Sequence, residues 1–359
     1  MMSITRIFRA GALVLAVSLA GCASHSDSSS KPLVIQRQGS FAVGGVVKTV
    51  PGVYDNDKPT SAGQSFHGDH LYAFYQVPQN PRPLPIVMLH GAFQSARSWE
   101  TTSDGREGFQ NLFLRRGFPV YLVDQPRRGR AGNSTVATTT GPTPYDQLFF
   151  DQFRFGKWPS YFDNVQFDRQ PETLNQFLRS VTPNTGAYDA NVIAEAMAAL
   201  FTKTGPAILF THSQGGGPGW LTAIKSANVK GVVAFEPGSG FIFPPGELPA
   251  AMPSAAGTLA PEAVSAQDFQ KLTRIPIVIY YGDNFPTEPT TERGKDNWRV
   301  RLAMARLWVD AVNRHGGDAQ LVHLPEMGIR GNTHFIMSDL NNVQIADLVS
   351  SFLTRKRLD

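Results

Sequence analysis

Short apolar runs separated by longer amphipathic stretches recur along most of this chain, and that alternation restricts the fold more than any single motif does. Residues 41–50, 71–77, 85–90, 118–124, 207–211, 229–235, 275–281 and 319–324 read as strands. Residues 108–116, 188–202, 216–226, 265–272, 298–315 and 340–355 read as helices. Strands that alternate with helices pair in parallel and bury both faces, so the expected fold class is α/β, a mostly parallel central sheet flanked by helices. At 359 residues the chain can hold one large domain of this kind or two smaller ones. Hydrophobic residues at 42% and charged residues at 17% exclude a disordered chain and a coiled coil. The single cysteine, Cys22, excludes a disulfide framework and any cysteine-based zinc or iron–sulfur site. A net charge of +4 comes without a Lys/Arg-rich stripe, so nucleic acid is not an expected partner.

The first residues read as a targeting segment. Arg6 and Arg9 precede an apolar run over 10–20 that is short for a membrane span, and small residues follow. Leu19-Ala20-Gly21-Cys22 resembles the lipobox of bacterial lipoproteins. That resemblance implies cleavage before Cys22, a lipid on its thiol and, with Ala23 next, an outer-membrane anchor. An ordinary secretory signal with a chance cysteine is the alternative. The expected organisation is therefore a leader over 1–21, a serine-rich tether over 22–32 and a folded body over 33–359.

Between about 133 and 188 the alternation fails. Phe149, Phe150, Phe153, Phe155, Trp158, Tyr161, Phe162 and Phe167 crowd this stretch among Pro, Gly, Asp and Gln. It reads as an insertion, either a cap over a pocket or a satellite hydrophobic cluster.

The chemistry is most legible at Phe210-Thr211-His212-Ser213-Gln214-Gly215-Gly216, where a strand runs into a serine and then into small residues opening a helix. This is the context of a nucleophile elbow, G-x-S-x-G, with Gly215 in place and Thr211 standing where the pattern has glycine. A serine at a helix start is otherwise a cap. A serine nucleophile needs a base, an oriented base and donors for the oxyanion. Of the histidines after Ser213, His315 closes a helix and His323 lies in a strand, whereas His334 sits in a loop between the last strand and the last helix and is the expected base. His212 is adjacent to the serine, so its side chain is expected to point elsewhere. The oxyanion donors are expected to be the backbone N–H of Gln214 and one from the loop after the third strand, Leu89-His90-Gly91-Ala92-Phe93.

With an H-G-x turn after the third strand, the serine turn and a late histidine in that order, the chain resembles the α/β-hydrolase superfamily, and the resemblance implies that Ala92, after the glycine, gives the second oxyanion N–H while His90 braces the loop. Asp124-Gln125-Pro126-Arg127-Arg128-Gly129-Arg130-Ala131-Gly132-Asn133-Ser134 resembles the D-x-x-G-x-G-x-S segment of the same superfamily. The acid after the seventh strand would be Asp283, and after the sixth strand Glu236. The sixth-strand glutamate and the export signal together resemble a group of exported bacterial carboxylesterases with a Ser-Glu-His triad, which favours Glu236, with Asp283 as the alternative. The resemblance implies a serine carboxylesterase acting through an acyl-enzyme on a small-molecule ester. Amide hydrolysis, lactone hydrolysis and perhydrolysis use the same machinery, and a non-catalytic surface-binding lipoprotein is the reading from another class. Phe93, Phe153, Trp158 and Trp220 are candidate pocket walls for a hydrophobic or aromatic substrate. No cofactor is implied, since no nucleotide-binding glycine motif is present. His67-x-x-His70 lacks further ligands in what reads as a polar turn, so no metal is expected. The sequence leaves a homodimer open.

Overall fold

The computed structural model describes residues 32–359, so the leader, Cys22 and the serine-rich stretch lie outside the described residues. The core is an 8-stranded sheet. Its strands are β1 (Ile35–Thr49), β2 (Ser65–Pro78), β3 (Ile86–Leu89), β4 (Val120–Asp124), β5 (Ala207–His212), β6 (Val229–Phe235), β7 (Pro276–Tyr281) and β8 (Asp318–His323). They lie in the order β1-β2-β4-β3-β5-β6-β7-β8. β1 with β2 and β2 with β4 are antiparallel, and every pairing from β4 to β8 is parallel.

Apart from the edge strand β8, the parallel strands are almost wholly apolar because they bury both faces. Along β3, Ile86 and Met88 pack into one layer and Val87 and Leu89 into the other. Phe210 and Leu209 of β5 and Tyr280 and Ile279 of β7 divide the same way, as the two-residue period of a strand requires. One layer holds α1 (Phe109–Arg115) and α8 (Asn342–Arg355). The other holds α4 (Ala190–Thr204), α5 (Gly216–Lys225), α6 (Ala266–Leu272) and α7 (Arg293–Arg314). Local chemistry sets the helix ends. The Asp189 carboxylate caps α4 by accepting from the Asn191 and Val192 N–H groups, Gly205 ends that helix at φ 77°, and the Ser265 hydroxyl caps α6.

Three expectations shift. β2 starts at Ser65, six residues before its apolar run, because its first residues pair with the exposed edge strand β1 and need no apolar face; His67 and His70 are thus strand residues, opposite Val47 and Gly44, and not in a turn. α7 begins at Arg293, five residues before Trp298, for a reason that belongs to the site. The stretch 133–188 holds α2 (Asp146–Gln152), a ribbon of Gly156–Lys157 against Ser160–Tyr161, and α3 (Pro171–Arg179). Its Phe150, Phe155 and Phe177 are buried and join the α1/α8 layer, with Phe155 and Phe177 ring centroids 4.9 Å apart.

Candidate active site

The parallel strands bring their C-terminal ends to one edge of the sheet, and the sequence-expected residues follow those ends. β5 ends at His212, and Ser213 opens a single turn over Ser213–Gly215 that leads into α5. Ser213 has φ 54°, a left-handed conformation that costs a non-glycine residue on the order of 1–3 kcal/mol and is held here by the packed strand and helix on either side. The sharp turn needs close approach. A Cβ on Gly91 would lie 2.7 Å from the Ser213 Cβ, so the loop after β3 can reach the serine only with glycine there. Thr211, the departure from the elbow pattern, is accommodated by a gap on α5: a Cβ on Gly219 would stand 2.6 Å from Thr211 Cγ2.

Glu236 follows β6 and also adopts a left-handed conformation, φ 47°. Its carboxylate is fully buried and has three donors. His334 donates from Nδ1 to Oε2 at 2.6 Å, the Gly282 N–H donates to Oε1 at 2.7 Å, and Arg154 donates to Oε1 from its guanidinium. Burial pushes this carboxyl above its ordinary value, opposed by Arg154 and the Gly282 N–H. Asp283 lies elsewhere. It accepts from the Gly331 N–H at 2.7 Å and from Asn164 at 3.3 Å, fastening the histidine loop to the insertion.

His334 is 1% exposed and lies between aromatic rings, 5.2 Å from Phe153 and 4.1 Å from Trp298. Burial, with the nearby charges of Arg154 and Arg301, holds its pKa well below the usual imidazole value. With Nδ1–H committed to Glu236, the neutral ring leaves Nε2 unprotonated, the state a general base requires. His212, expected to point away from the serine, is engaged by the histidine loop. Its Nε2–H donates to the His334 carbonyl at 2.9 Å and the two rings lie 4.5 Å apart, so it props the histidine loop from below the serine. Burial keeps it neutral as well. Asp339 fixes the same loop, accepting from the Thr333 N–H and hydroxyl and from Asn332. His90 braces the β3 loop, bonding the Gly91 carbonyl through Nδ1 at 2.9 Å and accepting the Gln125 N–H at Nε2. His315 and His323 pair with Glu247 and Glu326 at the surface.

A cavity of ≈ 330 Å³ opens over Ser213. Ala92, Gln214, Phe93 and Phe153 line it, joined by Leu148 and Phe149 of the insertion. The volume suits a small organic ligand. Two expected wall residues lie outside it. Trp220 is fully buried between α5 and α7, stacked on Trp308 at 4.4 Å, because the apolar face of α5 turns to the helix layer. Trp158 is 43% exposed and covers Phe150 from outside, edge-on at 5.3 Å.

Two features of the site have no counterpart among the residues expected from sequence. Arg154, buried between Phe153 and Phe155, reaches from the insertion to Glu236, donates from Nε to the Asp283 carbonyl at 2.8 Å and lies over the Phe285 ring at 4.3 Å. A lone cation flanked by buried aromatics was the available signal, since such a charge requires a carboxylate. The other is the first turns of α7, whose Arg293, Asn297, Trp298 and Arg301 line the cavity. Apolar periodicity begins at Trp298 because the preceding turn presents Arg293 and Asn297 to the cavity and buries Gly294 and Asp296, whose carboxylate accepts from the Ala255 and Thr290 N–H groups, so it carries no apolar side chain for the pattern to show. Trp298 Nε1 donates to the Gln152 carbonyl at 2.6 Å and ties α7 to α2.

Residues 86–328 match the model of the alpha/beta hydrolase family. A probable secreted lipase, phiG, of Fungal sp. (strain ATCC 74256) is 28% identical over 338 residues, 82% of this chain and 88% of the fungal one. A bacterial esterase solved at atomic resolution superposes with a TM-score of 0.73 at 28% identity, covering 91% of this chain and 98% of its own. In sheet order, helix layers and the sharp serine turn after β5, as in sequence, the chain belongs to the alpha/beta hydrolase family.

Proposed function

We propose that this hydrolase is a serine carboxylesterase that works through an acyl-enzyme. Its ester-cleaving relatives support the broad class. The observation that carries the finer reading is the buried Glu236–His334 bond, whose imidazole packs against Phe153 and Trp298, two walls of the cavity that Ser213 lines. Ser213 attacks the ester carbonyl, His334 takes its proton and passes it to the leaving alcohol, and Glu236 holds the imidazole in the required tautomer. The Ala92 and Gln214 N–H groups receive the oxyanion. Water, activated by His334, then releases the acid. The body over 33–359 acts as one catalytic domain, with the insertion over about 133–188 as its cap and Phe93, Phe149 and Phe153 offering an apolar wall to the substrate.

The test is hydrolysis of p-nitrophenyl esters of graded chain length by the wild type and by Ser213→Ala. The variant should lose activity by several orders of magnitude. Turnover persisting in it would refute the mechanism.

The same reading places the protein outside the cytoplasm, as an outer-membrane lipoprotein attached through Cys22. The leader sequence and a relative whose name includes secretion support it. Labelling with a clickable fatty acid should mark the wild type and not Cys22→Ser.

A further inference from the structure

We propose that the cavity face of α7 is an anion subsite, and that the ester hydrolysed here carries a carboxylate as well as an apolar body. The proposal rests on the esterase reading for the reaction and on α7 alone for the charge. Arg293, Asn297 and Arg301 are spaced by four residues, which puts them on one face of the helix, and all three line the cavity over Ser213.

The other cations of this helix are answered by carboxylates. Lys295 pairs with Glu292 at 3.0 Å, Arg299 with Asp296 at 2.6 Å, Arg306 with Glu326 at 2.6 Å and Arg314 with Glu247 at 3.2 Å. Arg293 and Arg301 pair with no carboxylate among the described residues, and no Asp or Glu lines the cavity. Glu236, the acid of the site, is already engaged by Arg154 and His334.

Arg301 is held in place without being neutralised. Its Nε donates to the Gly238 carbonyl at 2.7 Å, its Nη1 donates to the Asn297 carbonyl at 2.7 Å and to the Asn297 side-chain oxygen, and its guanidinium lies 5.4 Å from the Trp298 ring centroid. Burial disfavours the charged form, the sign of a cation short of a counter-ion. A fixed guanidinium with a donor edge to spare is a preorganised receptor for a carboxylate. The phenylalanines of the cap and the β3 loop supply the apolar wall. A substrate that fits both has an aliphatic or aromatic body ending in a negative charge.

The experiment compares kcat/KM within two ester pairs. p-Nitrophenyl pentanoate against mono-p-nitrophenyl glutarate puts the charge on the acyl side, and phenyl butyrate against 4-carboxyphenyl butyrate puts it on the alcohol side. The charged member of one pair should be preferred by about tenfold or more, and that pair identifies the side. The preference should shrink at high salt, fall towards parity in Arg293→Gln and Arg301→Gln, and persist in Arg301→Lys. Preference for the neutral member in both pairs, or a charged preference that survives both glutamine variants, overturns the proposal. Glutarate titrated into Ser213→Ala by calorimetry separates this from failure of the esterase reading, since it needs no turnover. Heat of binding that disappears when Arg301→Gln is added is the expected result, and no binding to Ser213→Ala overturns the proposal.

Discussion

Arg154, carried by the insertion, and Glu236, at the end of β6, form an ion pair in which neither side chain reaches solvent. The insertion is thereby tied to the carboxylate that accepts from His334 Nδ1. Arg154→Met would leave Glu236 buried without its cation, and breaking a buried pair from one side costs about 3–5 kcal/mol. Thermal or urea unfolding of the variant measures this. Arg154 also depresses the His334 pKa, so its loss should move the acid limb of the kcat/KM profile to higher pH. A purely structural contact would lower stability and leave that limb in place.

Glu236→Gln keeps the shape of the side chain but can present an amide to His334 Nδ1 and favour the wrong tautomer. A loss of about 10⁴ in kcat is expected. Asp283→Asn should alter loop anchoring at Gly331 and Asn164 with a far smaller effect on kcat. Parallel kinetics on the two variants distinguish the carboxylates, and the reverse ranking would assign the role to Asp283.

The pH dependence has a definite sign. As the proposed base, His334 must be neutral to accept the serine proton, and burial lowers its pKa below the ordinary value of 6.5. Activity should therefore be retained as pH falls through 6.5 and be lost only below it, as the imidazole finally protonates. A kcat/KM profile with its acid limb at or above 6.5 would contradict the burial of this ring.

Thr211 and Gly219 are complementary by shape. Gly219→Ala should destabilise the protein by about 1–3 kcal/mol, because the new methyl meets Thr211 Cγ2 in a packed interior. Adding Thr211→Gly should recover part of the loss. A double-mutant cycle from urea unfolding measures the coupling, and additive effects would mean that the two positions do not share the space.

What the sequence carried and what it hid follow from the same physics. The parallel strands were legible because burial on both faces makes them uninterrupted apolar runs. Ser213, His334 and the β3 loop were legible because they occupy strand ends in a fixed order. Ser65–His70 was hidden since an exposed edge pairing needs no apolar alternation, and the first turn of α7 was hidden since the residues it turns inward are polar or glycine. Trp220 and Trp158 show the limit of nearness in sequence: a residue seven positions after the serine has turned with its helix into the core. His212 and Arg154 act through contacts with His334 and Glu236, which lie far away along the chain, and no local pattern reports such contacts.

The central claim is that Ser213 is the nucleophile. Reaction with a fluorophosphonate, followed by intact mass and peptide mapping, tests it directly. One adduct per chain, located on Ser213, absent from Ser213→Ala and strongly slowed in His334→Ala, is the expected result. An adduct on another residue, or undiminished labelling of Ser213→Ala, would contradict it.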